Sequence, residues 1–137
     1  MTAYSATLDN LGKITDQVVR AAKEAGLSDN EIYDVEVAID EACTNIIEHS
    51  YTEEGKGEIE CICQILPDGL KIFIRDSGCY FNPDRIPSPD LDSPISKRKP
   101  RGLGLFFMRK LMDEVKFDPC EGQGTLLTMV KRKERIP

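Results

Sequence analysis

Ile32-Tyr33-Asp34-Val35-Glu36-Val37-Ala38-Ile39-Asp40-Glu41-Ala42-Cys43-Thr44-Asn45-Ile46 carries the pattern from which the fold is read. Ile32, Val35, Ile39, Ala42, Cys43 and Ile46 recur at helical spacing and form one apolar stripe, which predicts a helix lying with that stripe on a sheet. Its start is marked upstream. Ser28 stands three residues before Glu31, the capping box in which each side chain satisfies a free backbone N–H of the other. The helix is expected to run to about Ser50. A second row, Glu41, Asn45 and His49, follows at i, i+4 and i+8. Four residues advance ~400°, so each member lies one turn above the last with ~40° of drift. The row borders the apolar stripe beside the small Ala38, which leaves room for a ligand against this flank. Neither Glu41 nor Asn45 has Lys or Arg four residues on, so the usual ion pair does not account for them. Taken alone, the row also fits a solvated helix face with an incidental Asn.

Working outward, Leu11, Ile14, Val18, Ala21, Ala22 and Ala25 predict a first helix over Leu8 to Ala25, closed by Gly26. Downstream, Gly55 to Gly57 reads as a turn. Glu58 to Leu66 and Leu70 to Arg75 then read as antiparallel strands joined by Pro67-Asp68-Gly69. From Asp76 to Pro100 the periodicity stops, and five of the eight prolines fall there. Such a stretch inside a compact domain is a functional lid or a linker; the lid is placed at about 82–100. Helical apolar content resumes at Leu103 and runs through Phe106, Phe107, Met108, Leu111 and Met112, predicting a short buried third helix. Val115 to Phe117 and Thr125 to Val130 read as two last strands around Gly122-Gln123-Gly124. The expected order is α, α, β, β, lid, α, β, β. It implies an α+β two-layer sandwich with a mostly antiparallel sheet and its helices on one face.

The 137 residues and 40% hydrophobic content fit a single domain spanning 1–137, able to fold without a disulfide or structural metal. Five cysteines, Cys43, Cys61, Cys63, Cys79 and Cys120, cannot all pair within one chain, and Met1 to Ala6 lacks the features of a signal peptide. A cytoplasmic protein is expected. Charges interrupt every apolar run well before the ~20 residues of a membrane span. A net charge of -6 argues against general nucleic-acid binding, which rests on clustered Lys and Arg. Two basic clusters run against that balance. Lys131, Arg132, Lys133 and Arg135 read as solvated tail charge, whereas Lys97, Arg98, Lys99 and Arg101 sit beside a glycine motif. Cys61 and Cys63 share a strand face, but no second close pair completes a zinc site, so they read as core or half-buried thiols.

Three further elements could hold a ligand. Asp76 follows a strand and begins Asp76-Ser77-Gly78-Cys79-Tyr80-Phe81. Its acceptor-only carboxylate matches an exocyclic amino group such as that of adenine, and Gly78 allows close approach to a flat ring; an Asp-Ser-Gly turn is the alternative. Arg101-Gly102-Leu103-Gly104-Leu105 opens the third helix, where unpaired N–H groups and the helix dipole favour phosphate. It matches neither the P-loop nor the G-x-G-x-x-G pattern. Gly122-x-Gly124-Thr125 fits a hairpin turn equally well.

Taken together and in order, Glu41-x-x-x-Asn45, Asp76-x-Gly78-x-x-Phe81, Gly102-x-Gly104 and Gly124-Thr125 resemble the N, G1, G2 and G3 boxes of the GHKL (Bergerat) ATPases. Asp40-Glu41-Ala42-Cys43-Thr44-Asn45-Ile46-Ile47-Glu48-His49 and Arg101-Gly102-Leu103-Gly104-Leu105-Phe106 are similar to the core motifs of the anti-sigma-factor serine-protein kinases within that superfamily. The similarity covers Ala6 to Lys131. It implies ATP and Mg²⁺ as cofactors, Glu41 as general base for a target serine, and Asn45 as the Mg²⁺ ligand. It further implies Asp76 at the adenine amino group, Gly78 on the ring, Arg101, Gly102, Leu103 and Gly104 around the phosphates, and Thr125 at the floor of the pocket. Lys97, Arg98 and Arg101 are candidates for the γ-phosphate. Cys79 replaces a second glycine that some relatives carry, so no contact is transferred to it, and His49 fits packing at the helix end. The implied partners are an anti-anti-sigma (antagonist) protein as substrate and a sigma factor or analogous regulator. A homodimer is left open, with Val19 and Arg20 as contacts to test. A nucleotide-gated binding module without transfer activity is the alternative, but it has no need of Glu41. The catalytic half of a sensor histidine kinase would need a phosphoacceptor helix pair that this chain lacks.

Overall fold

Ser28 and Glu31 start the central helix as their spacing requires. The Glu31 N–H donates to Ser28 Oγ at 3.2 Å and the Ser28 N–H donates to Glu31 Oε1 at 2.7 Å. In the computed structural model, residues 2–5, 8–45, 58–76, 100–119 and 124–134 are described. They form β1 (Thr2–Ser5), a 3₁₀ turn (Leu8–Asn10), α1 (Leu11–Glu24), α2 (Asp29–Asn45), β2 (Glu58–Leu66), β3 (Gly69–Asp76), α3 (Pro100–Leu111), β4 (Glu114–Pro119) and β5 (Thr125–Arg132). The end of α1 is set by Gly26 at φ 82°, a conformation L side chains resist. The Gly26 N–H donates to the Lys23 carbonyl and the Leu27 N–H to the Ala22 carbonyl, the paired bonds that satisfy a helix end through a glycine.

The five strands make one sheet in the order β1-β2-β3-β5-β4, antiparallel at every pairing. Alternation along each strand sends one row of side chains to the helices. Ile59 and Cys61 of β2, Leu70, Ile72 and Ile74 of β3, and Leu127 and Met129 of β5 are buried there. They share the core with Ile14 and Val18 of α1, Val35, Ile39 and Cys43 of α2, and Leu105 and Met108 of α3. The expected α+β two-layer architecture is present, and the predicted stripe of α2 faces the core from Ile32 to Cys43. Ile46 and the rest of the predicted helix to Ser50 lie outside the described residues, as do the turn at 55–57 and the lid at 82–99.

Four expectations need correction. β1 was not predicted; four residues with a single large apolar side chain carry no alternation to read, and the strand exists because Thr2 to Ser5 pair with Cys61 to Glu58. The first helix begins with a 3₁₀ turn and becomes α-helical only at Leu11. The third helix begins at Pro100, one residue before the expected opening at Arg101 and at the last position of the expected lid, because proline is suited to a first helical turn, where its missing N–H costs nothing. That helix is also less buried than expected: Leu105, Met108 and Met112 face the core, whereas Phe107 is 42% exposed.

Candidate functional site

Asp76 ends the inner row of β3. Period-two alternation runs Leu70, Ile72, Ile74, Asp76, so a carboxylate takes the place where a fourth apolar residue would continue the core. It is 2% exposed and hydrogen-bonded or otherwise engaged. On β5 the same alternation runs Thr125, Leu127, Met129 and then Lys131, and Thr125 is 3% exposed. The ladder sets Thr125 directly opposite Asp76, with Ile59 on the other side of Asp76. Gly124, at φ 105°, turns the chain into β5 just before Thr125. Two buried polar side chains therefore sit at one end of this face, with apolar residues between them and Lys131 at the other. A carboxylate buried at this depth is held there only by matching donors, so this end of the face is chemically distinct from the apolar core beside it.

Lys131 shows which way the helices point. Its Nζ donates to the carbonyl oxygen of Leu111 at the end of α3 (2.6 Å) and pairs with Asp34 Oδ2 in the early part of α2 (3.0 Å). Nearby, the Glu134 N–H donates to Glu31 Oε2 at 2.6 Å. The start of α2 and the end of α3 are thus pinned to the far end of β5, six residues from Thr125. Eleven residues of helix from Asp34 to Asn45 cover ~16 Å, and six of strand cover ~20 Å, so the free ends of both helices lie toward the Asp76 end of the sheet. Cys43 supports the alignment. It lies close enough to Cys61 to act on its thiol, and Cys61 belongs to the cross-strand row Cys61, Ile74, Leu127, one step from Ile59, Asp76 and Thr125.

Glu41 and Asn45, one turn apart near the end of α2, are both half-buried. The Asn45 Nδ2 is buried and has no hydrogen-bond partner among the described residues, although a buried amide donor left unpaired is expensive. The backbone of Arg101, Gly102, Leu103 and Gly104 forms the opening of α3 just after Pro100, where helix N–H groups have no intrahelical partner. Gly78, Lys97, Arg98 and His49 lie outside the described residues. The tail cluster is corrected in part: Lys131 is 13% exposed at its side chain and bridges three elements, rather than being solvated. The alternation that places Thr125 inward places Lys131 inward too, and that signal was available in the sequence. Arg132 does stay at the surface, paired with Asp68 and Glu114.

No helix among the described residues is long and apolar enough to cross a membrane. The model of the histidine kinase-like ATPase domain matches residues 4–131. The chain is 33% identical over 119 residues to the serine-protein kinase RsbW of Bacillus mycoides (strain KBAB4), covering 84% of this chain and 74% of that protein. It is 34% identical over the same length to the RsbW of Bacillus cereus (strain ATCC 10987 / NRS 248), with the same coverage. Among solved structures, the RsbU and RsbW domains of Rv1364c from Mycobacterium tuberculosis superpose at a TM-score of 0.62 with 18% identity, over 99% of this chain and 34% of that one. The mycobacterial sensor histidine kinase MprB superposes at 0.55 with 15% identity, over 98% and 99%. These two share the fold. With a family model over nearly its whole length and relatives above 30% identity, the chain belongs to the histidine kinase-like ATPases, among the RsbW serine-protein kinases.

Proposed function

We propose that this chain is an ATP-dependent serine-protein kinase that acts as an anti-sigma factor, phosphorylating a serine of an antagonist protein in a partner switch. The observation that supports this reading is the buried polar pair Asp76 and Thr125 at one end of the sheet's inner face, together with the buried Asn45 Nδ2 near the end of α2, which has no hydrogen-bond partner among the described residues. The residues fit a nucleotide. Asp76 is an acceptor for the adenine amino group, Thr125 closes the floor, and Gly78 would pack on the ring. The backbone N–H groups from Arg101 to Gly104 would receive phosphate oxygens.

Asn45 suits Mg²⁺ as well. Its amide oxygen and nitrogen are interchangeable by a flip, so either a phosphate or the cation meets a matching atom. Magnesium bound with a triphosphate needs only one or two protein ligands, and no cluster of three acidic, Cys or His ligands occurs among the described residues. Bound Mg²⁺ and ATP would supply the phosphoryl group and neutralise its charge. Glu41, one turn before Asn45, would accept the proton of the target serine hydroxyl on a carboxylate oxygen.

The partners follow from the resemblance to the anti-sigma-factor kinases: an antagonist protein bearing the serine, and a sigma factor or analogous regulator bound in the other nucleotide state. A cytoplasmic location agrees with this role. The test is incubation of the protein with labelled ATP, Mg²⁺ and candidate antagonist domains, comparing wild type with Glu41→Gln. Label should reach the antagonist with the wild type and vanish with the variant, while ATP binding survives. Absence of label with every antagonist of the organism would favour a nucleotide-gated binding module.

A further inference from the structure

Phe107 is 42% exposed, although Leu105 and Met108 close by on α3 are buried. The cause is helical geometry: Leu105, Met108 and Met112 mark the core side of α3, and Phe107 is turned roughly 130° away from it. Lys131 fixes where that ring stands. Its Nζ meets both Asp34 of α2 and the Leu111 carbonyl of α3, and from there α2 runs on toward Asn45 while α3 runs back toward Pro100. The two helices are therefore antiparallel neighbours, and matching flanks face each other: Asp34, Ala38 and Glu41 on α2, Phe107 and Leu111 on α3. Phe107 stands ~6 Å before Leu111 along α3, and Glu41 stands ~10 Å beyond Asp34 along α2. With the axes about 8–10 Å apart, the backbones of Phe107 and Glu41 are separated by about 10 Å.

A kinase that acts on a serine of another protein must bring that protein's surface against its base. Specific protein interfaces cover about 800 Å² on each partner, a disc of roughly 16 Å radius. With Glu41 as the base, Phe107 lies beneath the substrate. Its surroundings also say what kind of surface fits. Arg109 and Lys110, both exposed, follow it on α3, while the exposed Asp40 precedes Glu41 on α2. The Lys110 ammonium lies 5.5 Å from the centre of the Phe106 ring, which keeps that cation on the outer side of α3. Cations on one helix, a carboxylate on the other and an exposed aromatic ring between them have the composition of an interface hot spot with its polar rim.

We propose that Phe107 is a docking contact for the substrate protein: an apolar side chain near the target serine packs on its ring, and an acidic group of the substrate pairs with Arg109 or Lys110. This assignment rests on the kinase reading with Glu41 as base. Phe107 binds protein, not nucleotide. It supplies binding common to the ground and transition states, so it acts on KM for the protein substrate and leaves kcat and ATP affinity in place.

The test is steady-state phosphorylation of the antagonist domain that the wild type labels, with the antagonist varied at saturating ATP and Mg²⁺. Phe107→Ala should raise KM for the antagonist about tenfold, with kcat, ATP affinity and melting temperature unchanged. Phe107→Leu should restore most of that loss, and Arg109→Glu combined with Lys110→Glu should raise KM in its turn. Ile65→Ala is the control. Ile65 is 49% exposed but sits in the register row of Leu70 and Lys131, at the other end of the sheet, so its loss should change nothing. An unchanged KM in Phe107→Ala overturns the proposal, as does a loss of ATP affinity or of folding that accounts for the change. Sedimentation in which Phe107→Ala dissociates a wild-type dimer also overturns it, assigning the ring to a contact between copies. Absence of label from every antagonist with the wild type sinks the kinase reading and this docking surface with it, a result distinct from a labelled antagonist indifferent to Phe107→Ala.

Discussion

Asp76 and Thr125 face each other across the β3–β5 ladder, two buried polar side chains beside the apolar inward residues Ile74 and Leu127. Directly opposed residues in an antiparallel pair have Cα atoms about 4.5–5.5 Å apart, so the carboxylate and the hydroxyl form one polar floor. A core built for stability alone would place an apolar residue at both positions. The departure from apolar alternation in two strands at the same register is where the proposed nucleotide site is placed.

Asp76→Asn should weaken adenine nucleotide binding about tenfold or more, because the amide introduces donors where an amino group also donates, and an unpaired buried donor costs about 1–3 kcal/mol. Calorimetric titration with ADP checks this, alongside a thermal melt to establish that the variant is folded. Unchanged affinity would remove Asp76 from the adenine subsite.

Lys131→Met keeps the aliphatic stem but leaves the Leu111 carbonyl and Asp34 without their cation. Unfolding free energy should fall by about 1–3 kcal/mol, the cost of an unmade partly buried hydrogen bond. Because α2 and α3 carry the Asn45 and Gly102 ends of the proposed site, ATP affinity should fall as well. Urea denaturation and nucleotide titration of one preparation measure both, and unchanged values would show that the sheet alone aligns the helices.

Glu31 gives the protein an acid-sensitive anchor. Burial would raise its carboxyl, but hydrogen bonds from the backbone N–H groups of Ser28 and Glu134 and from the Ser28 hydroxyl, with the charge of Lys131, together bring it below the ordinary 4.5. A depressed carboxylate contributes stability above its unfolded pKa and loses it as pH falls through the folded value. Glu31→Gln should therefore lower the melting temperature at neutral pH, and the gap to wild type should close as pH falls below 4.5. A gap that stays constant across that range would contradict the assignment.

Much of this was legible in the sequence wherever a local rule has one physical solution. Ser28-x-x-Glu31 could only be a helix start, the Ile32 to Cys43 stripe could only face a core, and Glu58 to Leu66 forms a strand over the predicted residues. Elements made by long-range pairing were not legible. Thr2 to Ser5 is a strand because β2 offers an edge. Lys131 was hidden by its basic neighbours, which made an inward-facing cation look like part of a solvated tail. Asp76 was picked out by its motif, but its burial among Ile59, Ile74 and Thr125 is what gives the motif chemical weight.

Amide hydrogen exchange of the full chain with and without Mg²⁺ and ATP asks whether one ligand contacts segments far apart in the chain. Added nucleotide should slow exchange together at the end of α2 around Glu41 and Asn45, at Asp76, in the first turn of α3 from Arg101 to Gly104, and at Thr125, with little change around Lys131. Protection confined to a single one of these segments, or centred on the Lys131 end of the sheet, would contradict a shared nucleotide pocket.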